Sequence, residues 1–218
     1  MTYDQILQDK IIQTYIRQAD ASMAALGFTE HSFPHVKRVA QIAGDLLQTL
    51  GYTPRDVELA RIAGYLHDIG NVVNRADHSQ SGALIAFRLL DKMDFPPEEI
   101  AAIVTAIGNH DEGTGVPVSP MAASLIIADK SDVRRSRVRR KEDIDTDIHD
   151  RVNYSVTSSN LLANPDNKTI TLQLTVDPQI SSVMEYFEIF MKRMVLCRAS
   201  AKSLGLTFHL IVNDQMLV

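Results

Sequence analysis

A change in the spacing of apolar residues partway along this chain of 218 residues constrains the fold more than any other feature. Up to about residue 130 apolar side chains recur every three or four positions; beyond residue 150 stretches that alternate appear. The first period lines one face of a helix, the second one face of a strand. The chain is therefore expected to be mainly α, with a helical body over residues 1–140 and a small β-containing extension over 151–218.

Within the body, Ile6, Leu7, Ile11, Ile12, Tyr15 and Ile16 mark a helix over 4–26. A second runs from about Pro34 to Leu50, with Val36, Val39, Ile42, Ala43, Leu46 and Leu47 on one face, and stops at Gly51. Thr53-Pro54 supplies an N-cap and a first-turn proline for a third, reaching about Leu66. Helices follow over 79–92 and 97–108, and Ser119-Pro120 opens a sixth that passes Asp129. In the extension, Val152, Tyr154 and Val156 alternate with polar residues, as do Ile170, Leu172, Leu174 and Val176 after the turn at Asn164–Asn167. Residues 180–204 return to helical spacing, and Phe208, Leu210 and Val212 form a last strand, giving a ββαβ unit. Cys197 lies on the apolar seam of that helix and reads as a buried structural thiol.

Several classes are excluded. No apolar run approaches the roughly 18–20 residues that cross a bilayer. The start MTYDQILQDK is polar and acidic, unlike a secretory signal. A single cysteine cannot build a disulfide framework and fits a reducing, cytoplasmic setting. The net charge of -5 weighs against a nucleic-acid coat, yet Lys130–Lys141 carries +6, leaving -11 on the rest. That run reads either as a solvated helix end or as a cradle for phosphate, whose oxygens Arg forks grip in pairs. It has no interleaved aromatics for stacking on bases, so nucleic acid is not the expected partner.

His-Asp occurs three times, at His67-Asp68, His110-Asp111 and His149-Asp150. The first closes an apolar helix, where an ionised carboxylate and an imidazole would be costly to bury unless paired or bound to metal. The third sits in an acidic stretch with Asp143, Asp145 and Asp147 and reads as surface, and His209 as a structural strand residue.

With His35 opening one helix, His67-Asp68 ending another and Asp129 inside a third, the chain resembles the HD-domain metal-dependent phosphohydrolase superfamily over about residues 31–135. The resemblance implies an HD-domain helical bundle and a signature H…HD…D. His78 and His110 extend it to the dinuclear branch. It implies one ion held by His35, His67, Asp68 and Asp129, and a second by His78, Asp68 and His110, with Asp68 catalytic as the bridge. His31 is the rival to His35; the following Arg38-Val39 favours His35. Such mixed ligands suit Mn, Fe, Co, Ni or Mg. Two ions sharing a hydroxide can attack and grip a phosphoryl group, with Lys130 and Arg134 reaching the remaining phosphate oxygens. The expected substrate is a small phosphorylated molecule, a nucleotide among the candidates. Asn71 stands where the cyclic-dinucleotide phosphodiesterase branch has lysine, and Asn109 and Val116 depart from its longer motif. Two rivals share the ligand set: an HD-fold di-iron oxygenase and a catalytically silent metal-binding signalling module. The extension lies outside the resemblance; its open sheet edges suit a homodimer through 151–218, or else it folds back as a wall of the site.

Overall fold

A computed structural model of the chain describes residues 1–139, 144 and 147–218. Arg140 and Lys141 of the basic run, and Asp143 and Asp145 beside His149, lie outside the described residues. The body consists of α1 (Tyr3–Gln8), α2 (Lys10–Ala25), α3 (Phe33–Thr49), α4 (Pro54–Leu66), α5 (His78–Lys92), α6 (Pro97–Gly108) and α7 (Pro120–Ser131). The single helix expected over 4–26 is two, because Asp9 is extended and restarts the chain. Its N–H caps α1 at the Ile6 carbonyl, while its carboxylate accepts from the N–H groups of Ile11 and Ile12.

The helix pair α3 and α4 forms the spine of the body. They cross at two small residues: a Cβ on Gly64 would stand 2.7 Å from the Ala40 Cα. This close approach lets Val36, Val39, Ala43 and Leu47 interlock with Val57, Ala60 and Ala63, all buried. Each large aliphatic side chain so buried contributes about 1.5–3 kcal/mol. Helix α7 is apolar on every side, as a helix covered all round must be. Its Ala122, Leu125 and Ala128 join the body core, whereas Ile127 joins a second core under the sheet.

The extension carries α8 (Ile148–Ser155), β1 (Val156–Asn164), β2 (Thr169–Val176), α9 (Val183–Ser203), β3 (Thr207–Val212) and β4 (Gln215–Met216). Strands follow the order β1-β2-β3-β4; β1 and β2 are antiparallel, β2 and β3 are parallel across the α9 connection, and β3 and β4 are antiparallel. Two elements differ from expectation. Val152 and Tyr154 belong to a helix, because the Asp147 carboxylate accepts from the N–H groups of His149 and Asp150 and starts one. The strand begins at Val156 and runs through polar residues, one of which, Ser159, is buried and donates to the Ser131 carbonyl at 2.6 Å. The fourth strand follows a tight turn at Asn213-Asp214, both with positive φ (49° and 64°).

The α9 seam packs Phe190, Met194, Cys197 and Ala201 onto the sheet together with Leu46, Ile127 and Val133 of the body. Burial pushes the Cys197 thiol up to about 12, so it stays protonated. Among the described residues no helix is long and apolar enough to cross a membrane.

Candidate metal centre

Five helices deliver the six predicted ligands to one buried point. His35 stands in the first turn of α3, His67 caps the end of α4, and Asp68 follows it into a 3-10 turn at Ile69–Val72. His78 opens α5, His110 comes just after the end of α6, and Asp129 lies in the last turns of α7. The turn after Asp68 packs so tightly on the start of α5 that a Cβ at Gly70 would lie 1.9 Å from the His78 carbonyl oxygen. Glycine is therefore required there, and it fixes His78 relative to His67-Asp68.

Each of the four imidazoles is oriented by its Nδ1–H. His67 donates to the Gly64 carbonyl (2.8 Å), His78 to the Arg75 carbonyl (3.2 Å) and His110 to the Ile107 carbonyl (2.6 Å), three residues back in every case. His35 donates instead to the Asp132 carboxylate at 2.7 Å. Since these acceptors cannot donate, each ring carries a proton on Nδ1 and turns Nε2 inward. The inward atoms crowd together. His35 Nε2 is 3.3 Å from an Asp68 oxygen and 3.4 Å from an Asp129 oxygen. His67 Nε2 is 3.2 Å and 3.7 Å from the same two oxygens. His78 Nε2 is 3.5 Å from the other Asp68 oxygen and 3.1 Å from His110 Nε2.

Acceptors so close require positive charge between them. Burial alone would strip the proton from His35 and His67, but nearby Asp68 and Asp129, with Asp132 beside His35, outweigh it. Their values rise to about 8 for His35 and about 10 for His67. His78 and His110 go the other way, held neutral first by burial. Asp68 and Asp129 stay ionised well below the usual carboxylate range: burial opposes the charge, but the histidines and, for Asp129, Lys130 overcome it.

This donor set fits a divalent cation. Ligand atoms about 2.0–2.2 Å from one ion stand about 3.0–3.4 Å apart, close to the separations above. His35 Nε2 and His67 Nε2 are buried and make no aligned hydrogen bond. Potential ligand atoms of His35, His67 and Asp129, and of His67, Asp68 and His110, form two groups each lying within 4.8 Å.

Around the ligands is a layer of charge in which Lys130 and Arg134 were expected and Asp132, Glu112 and Arg193 were not. Asp132, buried between His35 and the guanidinium of Arg38 (3.0 Å), keeps its carboxylate ionised. Arg134 also turns to Asp132, at 2.7 Å, and to Glu30, and it does not line the cavity above the centre. Lys130 does, with Nζ 2.7 Å from the outer oxygen of Asp129 and 2.6 Å from Glu112. Glu112 in turn receives Arg193 of α9 at 3.0 Å. Helix α9 thus forms part of the wall, through Phe190 and Arg193. The cavity measures about 280 Å³ and reaches Asp68, His78 and Asp129 at its floor, near the lower end of small-molecule sites at about 300–1,000 Å³. His31 lines it too, its ring 5.5 Å from that of His35, while His149 sits at its side with an exposed ring. His209 lies in β3, in register with Thr171.

A family model described as "HD domain" matches residues 33–153, more than half of the chain. An uncharacterized protein of Methanocaldococcus jannaschii is 28% identical over 162 residues, covering 64% of this chain and 62% of that protein. Ribonuclease Y of Desulforamulus reducens is 34% identical over 110 residues, half of this chain but 20% of that enzyme. The chain thus spans under two thirds of the first relative and a fifth of the second. A solved structure described as a predicted HD superfamily hydrolase, from an uncultured Thermotogales bacterium, is 26% identical with a TM-score of 0.46. It covers 57% of this chain and 68% of the other.

Proposed function

The chain belongs to the HD domain family, and from that premise we propose that it is a metal-dependent phosphohydrolase acting on a phosphate ester or anhydride of a nucleotide or small metabolite. The observation that carries the reading is the convergence of four imidazole Nε2 atoms and two ionised carboxylates beneath a small cavity. His35, His67, Asp68 and Asp129 would hold one ion; His78, His110 and the second oxygen of Asp68 would hold another. Divalent ions bound there would lower the pKa of water and offset phosphoryl charge.

The chain's own groups perform the rest. The inward-facing oxygen of Asp68 accepts from the Asn71 amide at 2.9 Å, which keeps the carboxylate turned across the centre. Lys130 holds the outer oxygen of Asp129 and leaves the inner one toward His35 and His67. The carboxylates of Asp129 and Glu112 keep Lys130 protonated against its burial and the nearby Arg193 charge, and Arg193 in turn pairs with Glu112. The narrow cavity favours a small substrate over a folded polymer.

The test is phosphate release by purified protein across a panel of phosphorylated metabolites with Mn²⁺, Co²⁺ and Mg²⁺, with bound metal quantified. Phosphate release that disappears on chelation and returns with metal supports the reading. Bound iron with O₂ uptake and no phosphate release overturns it in favour of an oxygenase, and metal binding with neither activity in favour of a silent module.

A further inference from the structure

Building on the phosphohydrolase reading, we propose that Arg75 is a substrate-binding residue whose guanidinium grips the phosphate of the substrate. Four cations line the cavity: Arg75, Lys130, Arg137 and Arg193. Three are already committed. Lys130 is held by Glu112 and Asp129, and Arg193 by Glu112. Arg137 is buried, with Nε on the Glu30 carbonyl (3.0 Å), Nη1 on the Asp132 carbonyl (2.9 Å) and the Asp132 carboxylate 3.9 Å away. Arg75 is the exception: among the described residues no carboxylate pairs with it.

Its side chain is nonetheless placed. Nη1 donates to His78 Nε2 at 3.2 Å, and the guanidinium carbon stands 5.8 Å from the Phe28 ring centre. The Arg75 backbone carbonyl meanwhile accepts from His78 Nδ1. One residue thus orients a proposed ligand through its backbone and puts an uncompensated charge on the cavity wall beside it. A guanidinium has five N–H donors in a planar fork, and among the described residues only one of these is engaged. That one is directed at the lone pair His78 would give to a metal. A single lone pair cannot serve both, so loading the centre leaves the whole fork available to a tetrahedral anion. Phe28, 42% exposed, stands beside the guanidinium.

Inorganic phosphate titrated calorimetrically into manganese-loaded protein tests this, comparing wild type with Arg75→Ala, Arg75→Gln and Arg75→Lys, with manganese content measured for each. The expected result is unchanged manganese content, phosphate binding weakened by about ten- to a hundredfold in the Ala and Gln variants, and partial recovery with Lys. The Gln variant keeps a polar, uncharged side chain with three carbons should the Ala variant fail to fold. Wild-type phosphate affinity in a manganese-loaded Ala or Gln variant overturns the proposal. So does loss of manganese with normal phosphate affinity in the loaded fraction, which would make Arg75 a positioning residue for His78. In either case wild-type hydrolysis leaves the phosphohydrolase reading standing; wild type that holds manganese but neither binds nor releases phosphate overturns both.

Discussion

Asp132 shows how much of the centre depends on residues that never meet the ligands' inner face. Its carboxylate fixes the His35 tautomer and is itself held by Arg38 and Arg134. Loss of such a partner lowers metal affinity by about 10- to 100-fold in comparable sites. Asp132→Ala should weaken Mn²⁺ binding by that order in a metal titration, and unchanged affinity would contradict the role assigned to it. The same residue scale sets the pH response. His35 and His67 titrate at about 8 and about 10 in the folded chain, above the ordinary 6.5. With protons as the counter-charge, their contribution to stability is fully present below about 6.5 and is lost as pH rises through 8 and then 10. Metal binding has the opposite sign, since it needs both rings neutral. The unfolding midpoint of chelated protein should therefore fall from pH 6.5 toward 10, while the gap between manganese-loaded and chelated protein widens. A gap that narrows with rising pH would contradict the assignment.

At the scale of elements, the site rests on close approaches between helices. Gly70→Ala would force the Asp68 turn away from α5, because the added Cβ meets backbone that cannot rotate aside. Overpacking of this kind costs about 1–3 kcal/mol. Manganese content should fall along with the thermal midpoint, whereas a variant with wild-type metal content would show that the turn does not set His78. Helix α9 supports the centre from outside the body, through Arg193 on Glu112 and through a core shared with Leu46, Ile127 and Val133. A chain ending at Arg151 uncovers those three apolar residues and leaves Glu112 with Lys130 but without Arg193. It should lose cooperative unfolding by calorimetry, and a truncated chain that unfolds cooperatively and retains phosphate release would contradict this.

The elements also mark what a sequence can disclose. The body helices were legible because apolar period and helix ends locate them without knowledge of partners, and the six central residues only through the family resemblance that their order along those helices carries. Asp132, Glu112 and Arg193 were not, since their roles come from contacts 97 positions (Asp132 with His35) and 81 positions (Glu112 with Arg193) apart in the chain. Arg134 follows Asp129 at a spacing that suggested a reach to phosphate, yet the buried Asp132 carboxylate lies nearer and captures it. Strand β1 escaped the period-two reading because its inward Ser159 is satisfied by the Ser131 carbonyl instead of by apolar packing.

For the whole molecule, α7 is the common wall of two cores and brings Asp129, Lys130 and Asp132 to the place where body and extension meet. The cavity lies at that junction, with α5, α7, α8 and α9 all contributing to its lining. Charge there is organised as a centre of acceptors, a ring of paired cations around it, and Arg75 as the one cation without a carboxylate among the described residues. All of this depends on the six central residues acting as one metal site. Elemental analysis of the purified chain against Asp68→Ala tests that most directly, because Asp68 alone faces His35, His67 and His78 together. After incubation with Mn²⁺ and removal of free ion, the wild type should retain one or two ions per chain, and the folded Asp68→Ala variant far less. A wild type that retains none, or a variant that retains as much, would contradict the account.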